Sequence, residues 1–490
     1  MNAYDNIIAQ TPLQVGVLTR LQAQLQRLYL LIDLETWNQK VSQVRTFSTI
    51  NPPGFQSSRP TSTAQWPSIA EQVTDILNDL HVSLPPSRLS VDIYLNLAQQ
   101  LLKLHPLQPA KHWLSLAQQM ATAGVAQAEQ LRDARSQSYA YGVLGRMYEE
   151  EGNEQSENSA KRQEYWDTAQ ATTLNALGLA QASQIPEITY RWQWQLGRLA
   201  ENQGQVEEAI AYYEAAVQTL DVVRNNLLGI DANVQFSFRD DVEPIYRRLV
   251  ELLLTQEGGV PSQAALQRAI RDIDALQLSE LENFLGCNLS EAVTINDASI
   301  DPTATIIYPI ILQNQLAVIT KLPQTEELHL HSIAIDQDDL NTKLILFQRE
   351  LARPYRSQGG LRLSQDFYDW LIRPIVPLLE ESGTETLVFV LDGKLRNIPM
   401  ATLHDGEDYI IKRYALALMP GLQLIEPQPL SETSLDVLTF GLSQMRQQFP
   451  PHDGFEDLEN VEVEVSEIQN QLPSRLFLNR EFTQTTLADR

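Results

Sequence analysis

Trp192–Leu220 reads WQWQLGRLAENQGQVEEAIAYYEAAVQTL, and the spacing within it sets how the N-terminal half of the chain folds. Trp192, Trp194, Leu196 and Gly197 recur at helical intervals, Gly204 breaks the run, and Ala209, Tyr213 and Ala216 restart it. The pattern is a helix, a tight turn and a second helix. Small residues at Gly197 and Ala209 let two antiparallel helices cross closely, and Tyr213 fills the gap to the next hairpin.

Upstream, YAYGVLGRMYEEEG (139–152) repeats the scheme with Tyr141, Leu144, Gly145, Tyr148 and Gly152. A polar, acidic insertion, Gly152–Arg162, precedes its second helix, TAQATTLNALGLAQ. A third hairpin begins near Val242, with EPIYRRLVELLLTQ as its first helix and QAALQRAIRDIDALQLSELENFL as its second. Earlier, IYLNLAQQLLKL and KHWLSLAQQMATAG fit the same stacking. These offsets match the small–large–small positions of tetratricopeptide (TPR) repeats, so residues 89–288 read as a TPR-like array. A non-repetitive helical bundle is the alternative.

Residues 1–50 form an N-terminal helical segment, with Val17, Leu18, Leu21, Leu25, Leu28 and Leu31 at helical spacing. Residues 51–88 read as a linker: NPPGFQSSRPTSTAQ has no period, and Pro85–Pro86 marks a second break. After Asn288 the pattern changes. TIIYPIIL and QLAVITKL form a β-hairpin around Gln313–Asn314, followed by helical DLNTKLILFQRELARP and FYDWLIRPIVPLLEES. TLVFVLDG, IIKRYALALMPG, LDVLTFGL and SRLFLN are strand-like. VEVEVSEIQNQL alternates like a strand at first but stands where a crossover helix belongs, which makes the last two strands parallel.

Composition narrows the function classes. The 490 residues hold 43% hydrophobic and 20% charged residues, the balance of a globular protein. Thirty-six Lys and Arg against 62 Asp and Glu give a net charge of -26. That charge repels phosphate backbones and anionic membranes, so neither nucleic acid nor membrane is an expected partner, and basic partners are favoured. Apolar runs such as Leu28–Leu34 are too short to span a bilayer, and no secretory signal is visible over Met1–Val15. The one cysteine, Cys287, excludes an internal disulfide and any multi-cysteine metal site, and the expected location is cytoplasmic.

LVFVLDGKLRNIPMATLHDGEDYIIKRYALALMPGLQLI (387–425) resembles the opening of CHAT domains, caspase-like domains found fused to TPRs, especially in cyanobacteria. The matching residues are Asp392-Gly393, Leu395, Pro399, Leu403, His404-Asp405-Gly406 and Met419-Pro420-Gly421. FSFRDDVEPIYRRLVELLL, ALQLSELENFLGC, DPTATIIYPIIL and FYDWLIRPIVPLL also look like the segments preceding that domain. The expected fold is therefore multidomain: an all-α TPR-like repeat, then an incomplete α/β caspase-like domain over 300–490 whose core begins near residue 435.

The resemblance implies a cysteine endopeptidase lineage with a His–Cys dyad, in which imidazole keeps the thiol as a thiolate and backbone amides hold the oxyanion. By that mapping VLTFGL is the first core strand, EVSEIQNQL the first helix, SRLFLN the second strand, and FTQTTLADR opens the second helix. The family's His and Cys segments have no counterpart, so no catalytic residue is expected, and protein–protein binding is the expected activity. A protein or peptide partner would enter the TPR groove. The alternative is half of an active endopeptidase, completed by sequence or a chain beyond Arg490.

Other candidates are weaker. Cys287 reads as a small packing residue and His404 as a turn residue. His329 and His331 alternate on one strand face without a third ligand, so no metal is expected, and nothing calls for a cofactor. LDGKLRN lacks the phosphate-loop spacing. Asp392 is the candidate substrate contact, able to attract a basic side chain, although an Asp-Gly after a strand more often only makes a turn.

Overall fold

The computed structural model describes residues 16–46, 68–80, 84–108, 112–155, 158–228, 242–255, 260–285, 301–353, 358–419, 437–444, 457–458, 460–471 and 474–483. Cys287 and the whole stretch 51–67 lie outside them, as do Pro420 and Gly421. The chain divides into two compact units: Met1–Ala292 with Ile300–Gln423, and Val293–Ser299 with Leu424–Arg490. It is mostly helical, with a mixed sheet in its C-terminal region.

Among the described residues of the first unit, ten helices precede the sheet: α1 (Val17–Thr46), α2 (Ile69–Leu80), α3 (Arg88–Leu107), α4 (His112–Leu131), α5 (Ala134–Glu154), α6 (Ser159–Ala182), α7 (Pro186–Asn202), α8 (Val206–Leu228), α9 (Glu243–Leu254) and α10 (Gln263–Leu285). They pack as successive hairpins, α3 on α4, α5 on α6, α7 on α8 and α9 on α10. Helix α2 corrects the reading of 51–88 as linker. Ile69, Val73, Ile76 and Leu80 recur at i, i+4, i+7 and i+11 and are buried against the array, a short helix hidden between two breaker-rich stretches.

Close approach explains the small residues. A Cβ on Gly197 would stand 3.1 Å from the Tyr213 ring, and one on Gly142 would lie 2.3 Å from Trp192. Ala209, Tyr213 and Ala216 are all fully buried. Between hairpins, Trp192 Nε1 donates to Ser138 Oγ (3.1 Å), and within its own hairpin Ser138 Oγ donates to Ala176 O (2.7 Å). Gln195 Nε2 donates to Gly142 O (3.1 Å) and Thr173 Oγ1 (2.7 Å), so polar groups in the crossings have partners.

Five strands follow, β1 (Ala304–Ile311), β2 (Gln315–Lys321), β3 (Leu328–Ala334), β4 (Thr386–Val390) and β5 (Ala415–Met419), in the order β3-β2-β1-β4-β5. β1 and β2 are the antiparallel hairpin that their composition indicated; β4 joins β1 in parallel, and β5 joins β4 in parallel. All eight residues of β1 are buried, as befits a central strand covered on both faces. Ile306, Tyr308 and Ile310 pack with α8–α10, while Ile307 and Ile311 pack with α11 (Gln337–Leu351) and α12 (Gln358–Leu371). The last hairpins of the array are thus one outer layer of a helix–sheet–helix sandwich. A short helix, α13 (Val376–Glu381), leads into β4.

In the second unit β6 (Val437–Gly441), α14 (Val461–Gln471) and β7 (Ser474–Leu478) form a parallel βαβ unit, and VEVEVSEIQNQ is its crossover helix. Phe440 and Phe477 stack across the pair at 5.0 Å. Beyond the strand ends, Asn479 Oδ1 accepts from the amides of Ser443 (2.8 Å) and Gln444 (2.9 Å), and Ser443 Oγ donates to Glu462 (3.0 Å).

Candidate functional site: an arginine–glutamate ladder in a groove

The first helices of three consecutive hairpins, α5, α7 and α9, line a cleft of about 320 Å³. Arg146, Glu149, Glu150 and Asn153 come from α5; Trp194, Arg198, Glu201 and Asn202 from α7; Pro244 and Arg248 from α9. Tyr213 and Gln313 complete the lining.

One device repeats along it. Arg146 and Glu149, Arg198 and Glu201, and Arg248 and Glu251 stand three residues apart in successive first helices. Each later arginine reaches back to the glutamate of the hairpin before. Arg198 Nε and Nη2 donate to Glu149 at 2.9 and 3.0 Å. Arg248 Nε donates to Glu201 at 2.8 Å, and its Nη2 also bonds Glu201. Within a helix, Arg146 lies 2.8 Å from Glu149 and Arg248 2.7 Å from Glu251. The fork of a guanidinium matches a carboxylate with two parallel bonds, so the ladder fixes hairpin register.

The electrostatics are set by burial. Glu149 is 1% exposed; desolvation pushes its carboxyl up, and Arg146 and Arg198 together override that, leaving it below the usual glutamate range. Arg248 is held above its usual value, first by its hydrogen bond to Glu201. Burial pushes the Tyr213 hydroxyl up, and the nearby charge of Glu201 adds to it. The Arg198 guanidinium also lies over the Trp194 ring at 4.7 Å. The groove thus has paired charges, amides and an aromatic face. Among the described residues its lining holds no cysteine, serine, threonine or histidine.

Asp392 does not stand in the cleft. It follows β4, is 2% exposed, and accepts from Arg247 Nη1 (2.6 Å), Arg247 Nη2 (3.1 Å) and the Ile311 amide (2.9 Å). Gly393 follows it with φ +50°, as the turn reading required. His404 lies in its turn, where Nδ1 accepts from the Gly406 amide (3.0 Å) and Tyr409 meets the ring edge-on. His331 Nε2 donates to Trp370 O (2.8 Å), and burial lowers its pKa. His329 pairs with Thr320 in the sheet. Among the described residues no group of three His, Cys, Asp or Glu could hold a metal ion. No helix among them is long and apolar enough to cross a membrane.

The sequence reading did not include the ladder, though a signal was present: Arg-x-x-Glu at 146–149, 198–201 and 248–251, preceded by glycine at the first two. Charged pairs at that spacing are common on solvated helix faces, so the pattern by itself does not mark a groove.

The loop after β4 and the strands that follow it fall in a stretch with a family match. Residues 361–490 match the CHAT domain. This caspase-like domain family therefore accounts for the chain from α12 onward, through both compact units, and β1–β3 of the shared sheet precede the match. A search of curated proteins finds no match. Among solved structures, BtubC (BKLC) from P. vanneervenii is similar over 44% of this chain and 81% of its own, at 16% identity and a TM-score of 0.22, a likeness too slight to carry weight.

Proposed function

We propose that this chain is a TPR–CHAT protein whose helical array binds a protein or peptide partner in the groove of α5, α7 and α9. The observation that carries the reading is the ladder: one Arg-x-x-Glu pair in each of α5, α7 and α9, with every member but Glu251 lining one cleft. Repeats that present equivalent residues along a concave face suit extended or helical polypeptide. The net charge of -26 favours a partner with basic segments, in a cytoplasmic setting.

Within residues 1–490 no peptidase chemistry is expected. The CHAT match holds His404 and His452 and no cysteine, and the imidazole of His404 is engaged in its own turn. A thiolate–imidazole pair cannot be assembled from those groups. The second reading, half of an endopeptidase completed by another chain or by sequence beyond Arg490, is favoured by one feature. Among the described residues the parallel sheet of the second unit has two strands, and parallel sheets normally have both faces and both edges covered. Asp392 would serve as a substrate contact only in that assembled state, and only by releasing Arg247.

A peptidase assay tests the pair of readings. The purified chain, incubated with fluorogenic peptides bearing basic P1 residues, is expected to release no product above the buffer control. Turnover by the isolated chain would overturn the non-catalytic reading.

A further inference from the structure

Two adjacent arginines on α9 point to different structures. Arg248 belongs to the ladder, through Glu201 on α7 and Glu251. Arg247 faces the sheet: besides the two bonds to Asp392, its Nη1 donates to Ile311 O (2.7 Å) and its Nε to Glu243 (2.6 Å). Both backbone groups of Ile311 are therefore satisfied by this pair, the amide by Asp392 and the carbonyl by Arg247. The ion pair takes the place of a neighbouring strand where β1 outruns its pairing with β4, which ends at Ile307 and Phe389.

A second bond of opposite sense joins the same partners. Arg396, in the turn after β4, donates to Glu280 of α10 (3.2 Å) and to Leu391 O (3.0 Å). The loop Leu391–Asn397 is thus tied to both helices of the last hairpin, by a helix arginine on a loop carboxylate and by a loop arginine on a helix carboxylate. Gln313, two residues beyond Ile311, reaches the lining of the cleft itself.

We propose that α9 couples the groove energetically to the loop after β4, with Arg248 and Arg247 as its two ends. Helix α9 is twelve residues long and packed among buried neighbours, so it moves as one body. A change that frees Arg248 from Glu201 shifts the anchor of Arg247, and Asp392 and Ile311 lose their shared geometry. The coupling holds whatever fills the groove, so its failure and the failure of the partner reading are separate results. Arg247 and Arg248 are positioning residues, and the two-state element is the clasp at Asp392, closed or released.

Hydrogen exchange on the full chain measures this without a ligand. Glu201→Gln removes the charge that Arg248 grips, and no bond joins Glu201 to Asp392. Asp392→Asn gives the released clasp as a reference, and Arg135→Ala breaks an exposed pair with Glu187 outside the groove. Glu201→Gln is expected to speed exchange at least threefold in peptides covering 306–313 and 391–399, where the Ile311 amide donates to the Asp392 carboxylate and the Leu395 amide to the Asp392 backbone carbonyl. Arg135→Ala should leave those peptides at the wild-type rate. If Glu201→Gln loosens the whole array, seen as faster exchange in α3 and α4, Arg248→Lys is read in its place. Faster exchange in α7 and α9 with unchanged rates at 306–313 and 391–399 would overturn the proposal.

Discussion

Asp274 on α10 is buried, and its Oδ1 meets no hydrogen-bond partner among the described residues. Burial pushes its carboxyl up to about 7. An unfolded aspartate releases its proton near pH 4, so between about pH 4 and 7 the native state holds a proton that the unfolded state has lost. Stability from this group is therefore complete below about pH 4 and falls as pH rises through 7. Asp274→Asn is expected to flatten that part of the pH–stability curve. At pH 8 it should gain roughly 1–3 kcal/mol, the ionisation cost less that of burying an amide. Urea melts of both proteins at pH 5 and pH 8 check it. Asp392 is the opposite case: equally buried, it has three donors. An Asp-Gly after a strand signals a turn in any sequence, and no local pattern says that an arginine 145 residues earlier closes on it.

At the scale of helices and strands, much was legible. The β1–β2 hairpin follows from composition and its turn residues, while helix α14 and the parallel β6–β7 pair follow from strand–crossover–strand order against a strand-like alternation. Helix α2 escaped because twelve residues between breaker-rich stretches carry a weak signal, and its burial against α1 decides its fate. The sharing of one sheet by the array side and the α11–α12 side was not legible, since β1 alternates its contacts between two apolar layers without a polar face. Helix crossings give a direct test. Gly178 on α6 has nothing within 4 Å of a built Cβ, so Gly178→Ala should stabilise by about 0.5–1 kcal/mol. Gly197→Ala meets the Tyr213 ring and should cost about 1–3 kcal/mol. Gly142→Ala, with Trp192 closer still, should cost more. Thermal melts of the three variants should fall in that order.

Over the whole molecule, the helical array and the five-stranded sheet belong to one compact unit, and the βαβ element to another. The CHAT match runs through both, and the groove is lined by residues that precede it. The account stands on that groove. Its most direct test begins with a displayed peptide library selected on the purified chain. Recovered peptides are then titrated by calorimetry against wild type, Trp194→Ala and Arg135→Ala, with circular dichroism confirming equal helicity. Trp194 lines the cleft and Arg135 does not. The account predicts a Kd at least tenfold weaker for Trp194→Ala and unchanged for Arg135→Ala; recovered peptides that bind all three proteins alike, or a selection that yields none, would contradict it.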